Sequence, residues 1–96
     1  MTYRFTSVAL NELKQAALDY ETKDKGLGLR FFTEVDQTVN RILTSPEAWR
    51  PLSRRTRRCL VHHFPFGVLY QIRRTEILIV SVMDLRRDPT KWQKHL

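Results

Sequence analysis

The chain predicts an α+β fold in the order β-αα-βββ, a helical hairpin packed on a small, mostly antiparallel sheet, and three observations carry that prediction. From Arg57 to Asp84, three apolar runs are separated by two tight turns, the pattern of a strand meander. Ahead of it, two stretches repeat apolar residues at offsets of three and four, the helical period. Ahead of both, Thr2 to Thr6 alternates with period two. Ninety-six residues make one domain, spanning 1–96, with a small core.

The elements follow in order. Thr2-Tyr3-Arg4-Phe5-Thr6 sets Tyr3 and Phe5 on one face, a strand too brief to stand without partners. Ser7 is the expected N-cap of a helix over Val8 to Glu21. Leu10, Leu13, Ala17 and Tyr20 form its apolar stripe, with Lys14, Asp19 and Glu21 off it. Lys23-Asp24-Lys25-Gly26 is a polar turn closed by glycine. A second helix is predicted from Leu27 to Thr44, with Phe31, Phe32, Val35, Val39, Ile42 and Leu43 inward and Arg30, Glu34, Gln37 and Arg41 outward. Ser45-Pro46 ends it, because proline disfavours helical geometry in the residue before it. Two helices so joined are antiparallel and need a sheet to cover their apolar faces.

Glu47 to Thr56 reads as irregular, with Pro51 blocking regular structure. The first apolar run, through His62 and His63, ends at Phe64-Pro65-Phe66-Gly67; the second is Val68 to Ile72. Arg73-Arg74-Thr75-Glu76 is short enough for a hairpin connection. Ile77 to Met83 is almost continuously apolar, which predicts a strand buried on both faces and central in the sheet. After Leu85-Arg86-Arg87-Asp88-Pro89, the last residues predict a short helix beginning near Pro89 or an extended arm.

Composition narrows the function. No apolar run approaches the length of a membrane span, and the N-terminus lacks the basic and apolar regions of a signal peptide, so a cytoplasmic protein is expected. Cys59, the single cysteine, fits a reducing compartment; it excludes an intramolecular disulfide and any multi-cysteine metal site, and reads as a small buried hydrophobe. No glycine-rich phosphate loop, metal-ligand spacing or serine triad is present, so neither cofactor nor metal is expected. Seventeen Lys and Arg against ten Asp and Glu give a net charge of +7, which favours a polyanionic partner, nucleic acid or an acidic protein. The charge concentrates at Arg50, Arg54, Arg55, Arg57 and Arg58.

Several of these pieces occur together in one known family. The early strand and helical hairpin, Pro46-x-x-Trp49, Arg58 followed by Phe64-Pro65-Phe66, Val68-x-Tyr70, and Arg86-Arg87-Asp88-Pro89-x-x-Trp92 appear in that order. In this the chain resembles the RelE/ParE superfamily of toxins from type II toxin–antitoxin systems, once described as plasmid stabilisation proteins, and it looks closer to the ParE branch. The resemblance implies the same fold and a cognate antitoxin that wraps the toxin. It also implies one of two targets. ParE-like members inhibit DNA gyrase without being enzymes, whereas RelE-like members enter the ribosome and cut mRNA with a basic cluster and acid/base residues.

Cleavage through a 2′-hydroxyl needs a proton acceptor, a proton donor and cations for the phosphorane. Arg57 and Arg58 with Arg86 and Arg87 could converge at one end of the sheet and hold phosphate bidentately. Acid/base groups are scarcer. Where many relatives carry histidine this chain has Asp84, which next to Arg86 and Arg87 reads as an ionised partner and a poor acid. Trp92 cannot transfer protons; His95 is near the terminus, and His62 and His63 would point to opposite faces of a strand.

The first reading is therefore a non-enzymatic gyrase inhibitor that engages its target through Arg54, Arg55, Arg57, Arg58, Arg86, Arg87 and Trp92. The alternatives are a ribosome-dependent endoribonuclease using Arg58, Arg86, Asp84 and His95, and a basic nucleic-acid-binding module without toxicity. Core packing of Trp49 competes with base stacking on it. Leu10, Leu13, Leu27 and Leu29 add apolar surface beyond what one sheet face needs; an antitoxin helix or a second copy of the chain would account for it equally well.

Overall fold

The computed structural model describes residues 1–87. Its elements are β1 (Thr2–Phe5), α1 (Ser7–Lys23), α2 (Leu27–Thr44), β2 (Arg50–Pro51), β3 (Thr56–Leu60), β4 (Phe66–Ile72) and β5 (Glu76–Asp84). The helices pack on one face of an open five-stranded sheet in the order β1-β5-β4-β3-β2. Only the β1–β5 pairing is parallel. Ala9 and Leu13 of α1, Phe31, Val35 and Ile42 of α2, and Val68, Tyr70, Ile77 and Ile79 of the sheet form the centre of the core. Each of the larger aliphatic and aromatic side chains among these contributes roughly 1.5–3 kcal/mol by leaving water.

Several expected boundaries move, each for a local reason. The N-cap of α1 is Thr6, not Ser7: its Oγ1 accepts from the Ala9 amide at 3.1 Å. Thr6 also donates its own amide to the Ile79 carbonyl at 2.9 Å, so the residue just after β1 continues its pairing with β5 and starts the helix. The buried face of α1 is Ala9, Leu13 and Ala16, whereas Leu10 is 39% exposed. Two alanines let α1 lie close on the sheet, a role that a stripe judged by large apolar side chains overlooks. On α2, Phe31 is fully buried but Phe32 is half exposed, since neighbouring helical residues point about 100° apart. Glu34 and Arg41 do not face out freely. Glu34 lies 3.6 Å from the His63 ring, and Arg41 donates to the Leu60 carbonyl at 3.0 Å, joining α2 to β3.

The segment read as irregular contains β2, whose Arg50 and Pro51 pair with Arg58 and Arg57. Proline is tolerated there because β2 is the sheet edge. The long apolar strand β5 is buried as expected but sits second from the other edge, and β4 takes the centre. β5 carries a bulge: Leu69 faces Ser81 and Tyr70 faces Ile79, leaving Val80 unmatched. Beyond Phe5, where β1 stops, Glu12 of α1 accepts from the Val82 amide at 3.1 Å and the Ser81 hydroxyl at 2.8 Å. A carboxylate thus occupies the strand edge that β1 leaves open.

β3 ends at Leu60, so His62 and His63 lie in a turn rather than on strand faces. Both are exposed, and His63 adopts a left-handed φ of 68°. No helix among the described residues is long and apolar enough to cross a membrane.

Candidate functional site

β5 delivers Asp84 to one end of the sheet, opposite Phe66, and the chain then turns back across the β3–β4 connection. The Leu85 amide donates to the Pro65 carbonyl at 2.9 Å. The floor of this end is aromatic: Tyr20, Phe31, Phe64 and Phe66 meet with ring centroids 4.8–6.0 Å apart, mostly edge to face. The Phe64-Pro65-Phe66 motif therefore supplies two rings to a cluster that anchors α1 and α2.

Above the floor a cleft of about 320 Å³ runs between α1 and the end of β5, lined by Glu12, Asp19, Tyr20 and Lys23 on one side and Asp84, Arg86 and Arg87 on the other. Asp84 accepts from the Arg86 amide and Nε through Oδ1, both at 3.0 Å, and from Nη2 through Oδ2 at 2.9 Å. The hydrogen bond from the Arg86 side chain holds the Asp84 carboxyl below its ordinary range, so it is an anion at neutral pH. The Tyr20 hydroxyl is buried and has no hydrogen-bond partner among the described residues; burial pushes its pKa up, which keeps its proton on. The cleft thus sets cations beside a fixed Asp84 anion, and among the described residues no histidine lines it.

Of the four arginines expected to converge, Arg86 and Arg87 line this cleft and Arg57 and Arg58 do not. Arg58, opposite Leu69, lies on the sheet face away from the helices and runs its stem across Gly67 toward Leu85. A Cβ at Gly67 would stand 3.1 Å from Arg58 Cγ and Cδ and 3.5 Å from Leu85 Cδ2, so a larger residue here would make the Arg58 stem shift by a few tenths of an ångström. Arg58 Nε is buried with no partner among the described residues. Arg57, one residue earlier, points to the helix side and donates to the Glu47 and Trp49 carbonyls at 3.0 and 2.9 Å. Period-two alternation makes Arg58 a site candidate and Arg57 a fastener of the β2 segment. Arg54 and Arg55 lie at the opposite end of the sheet with Arg73. Trp92 and His95 lie outside the described residues.

Of the leucines expected to meet a partner, Leu13 is core at 4% exposure and is withdrawn from that role. Leu27 is half-buried, while Leu10 and Leu29 are exposed, joined on the hairpin by Leu18 and Phe32. Sequence reasoning missed Tyr20 and Lys23 as cleft residues. The signal for Tyr20 was its position at the end of an apolar stripe, where a hydroxyl has to emerge.

Residues 3–89 match the family described as ParE toxin of type II toxin-antitoxin system, parDE. The chain belongs to the ParE toxin family. No curated protein matches it. Among solved structures it is similar to a chain of the chromosomal ParDE TA system from P. aeruginosa, with a TM-score of 0.73 and 19% identity over 88% of this chain and 96% of that one. At that identity the likeness is one of fold, and it extends to two helices on a mostly antiparallel sheet. Within this ParE-family chain the motif residues divide by role. The Tyr70 hydroxyl donates to the Pro46 carbonyl and Trp49 Nε1 donates to the Arg41 carbonyl at 3.3 Å, so Pro46, Trp49 and Tyr70 fasten the segment after α2. Trp49 packs against the core, which takes it out of base stacking. Among the described residues, the motif arginines Arg58 and Arg87 make no side-chain hydrogen bond, whereas Arg86 is bound to Asp84.

Proposed function

We propose that this ParE-family toxin is a cytoplasmic, non-enzymatic inhibitor of DNA gyrase, neutralised by a cognate antitoxin. The observation that carries the non-enzymatic reading is Asp84: three hydrogen bonds from Arg86 hold it as an anion where cleavage chemistry would need a proton donor. Arg58, Arg86 and Arg87 are the proposed gyrase contacts, with Trp92 beyond them. Exposed Leu10, Leu18, Leu29 and Phe32, together with half-buried Leu27, form the proposed antitoxin surface on the helical hairpin, and a homodimer is the competing use of that surface. Supercoiling by purified gyrase, with cleavage-complex formation read in parallel, tests the target. Inhibition at micromolar toxin is expected, relieved about tenfold or more by R86A/R87A; unaffected gyrase sinks the reading.

One observation favours a second reading. The His62–His63 turn lies at the same end of the sheet as Asp84, joined to it by the Leu85–Pro65 hydrogen bond. A RelE-like endoribonuclease would place its phosphate on Arg58 and Arg86 and draw protons from that turn or from His95. Codon-phased cuts in translated mRNA, seen by primer extension, would establish it in place of gyrase inhibition.

A further inference from the structure

The arginine loop folds back on the β4–β5 hairpin to make a second cleft, at the far end of the sheet from Asp84. It has a volume of about 350 Å³, and Arg54, Arg55, Arg57 and Arg73 line it with Gln71; among the described residues no Asp or Glu does. The segregation is written in the chain, which has no acidic residue between Glu47 and Glu76. Elsewhere arginines meet carboxylates, as in Arg4–Glu76 and Arg86–Asp84, but none of these four does so among the described residues. Two of them are held by neutral acceptors. Arg57 donates to two backbone carbonyls, and Arg73 Nη2 donates to Gln71 Oε1 at 2.7 Å. These contacts position the guanidiniums without cancelling their charge.

We propose that this cleft binds the phosphate backbone of duplex DNA without reading its sequence, a property that neither requires nor follows from gyrase inhibition. Guanidinium forks match phosphate oxygens bidentately, and several unneutralised forks around one concavity favour a polyanion with closely spaced charges. An acidic protein partner fits less well. Protein interfaces concentrate their energy in buried aromatic anchors, whereas this lining has no aromatic residue and only Pro51 and half-exposed Ile72 as apolar groups. Single strands fit less well too, because their binding relies on aromatic platforms for stacked bases, and Trp49 is turned into the core. Gln71, the amide in the lining suited to a base edge, is engaged at both ends, accepting from Arg73 and donating to Thr56 Oγ1 at 3.2 Å, which leaves the guanidiniums to meet the backbone phosphates.

Fluorescence anisotropy of a labelled 20-base-pair duplex with the purified full-length chain, across a salt series, tests this. With about four phosphates engaged, log K against log salt should fall with a slope of about −3.6, the same for two unrelated sequences. R54A/R55A/R73A should weaken binding about 10- to 100-fold at low salt and flatten the slope by about 2–3. K14A/K25A/R30A removes the same charge from the helical hairpin and should cost less than about threefold. All three residues of the first variant are exposed, and matching thermal melts verify that both variants fold. The proposal is overturned by a wild-type chain that ignores duplex DNA, by equal losses in the two variants, by a single strand bound as tightly as the duplex, or by charge-matched polyglutamate displacing the duplex as well as unlabelled duplex does. Gyrase is absent from the assay, so failure here leaves the target reading standing, and the reverse.

Discussion

The two ends of the sheet carry arginines in similar number and put them to different electrostatic use. At the Asp84 end, Arg86 is bound to a carboxylate and stands over an aromatic floor. At the other end, Arg57 and Arg73 are held by carbonyl and amide oxygens and keep their full charge. The Asp84–Arg86 pair is partly exposed, so its Coulombic contribution to stability is small. Its effect is geometric: it fixes where one guanidinium stands and removes a proton donor. The difference teaches that counting cations does not locate a polyanion site; the acceptor that holds each cation does.

Four measurements break or sharpen this contrast. Phe66→Ala should have the largest effect, about 3–5 kcal/mol of stability in urea unfolding, because it removes a buried ring shared by Tyr20 and Phe31. A loss below about 1 kcal/mol would mean that the Asp84 end does not rest on that cluster. Tyr70→Phe should cost about 1–2 kcal/mol by leaving the Pro46 carbonyl unpaired, and should raise protease cutting within residues 46–56 while sparing the Asp84 end. Gly67→Ala should push the Arg58 stem aside and weaken gyrase inhibition several-fold with little change in melting, a combination that a purely structural Arg58 does not produce.

Asp84→Asn should be the mildest, under about 1 kcal/mol at neutral pH. The Asp84 pKa is lowered in the fold, so the carboxylate's contribution is complete above the unfolded value of about 3.9 and disappears as pH falls through the lower folded value. The gap in melting temperature between wild type and variant should therefore hold from pH 7 to about 5 and close under acid. Gyrase inhibition should survive this change, because the amide oxygen of the replacement can still accept from Arg86 and keep its guanidinium in place. Abolished mRNA cutting would instead make Asp84 a catalytic acid.

Much of the fold was legible along the chain. The second helix runs over Leu27–Thr44 as its stripe and Pro46 predict, and the three late strands appear in order. Errors fell where small or paired residues decide the outcome. Ala9 and Ala16 hold a buried face that a stripe of large apolar residues assigns to Leu10, and Thr6 takes the cap from Ser7 because strand pairing and helix start both use it. Pro51 joins a ladder because its strand is an edge. The site was legible in residue types but not in grouping. Arg57 and Arg58 are neighbours in the chain and part to opposite faces, while Arg73, read as a hairpin connection, joins Arg54 and Arg55 in one cleft.

By itself, the sequence determined the class of the protein: the helical and strand periods set the element order, and the clustered arginines set the charge. Those are properties of local spacing and composition, which a linear chain carries in full. The Asp84–Arg86 pair was legible in the chain, but only the tertiary structure decided that Arg4 meets the Glu76 carboxylate and Arg57 the Glu47 and Trp49 carbonyls. That choice depends on strand register, on the bulge at Val80 and on the turn that returns Leu85 to Pro65. An arginine's use is set by the acceptor within about 3 Å of it; for Arg86 and Arg73 that acceptor is two residues away in the chain, whereas for Arg57 and Arg4 the sheet supplies it from further off.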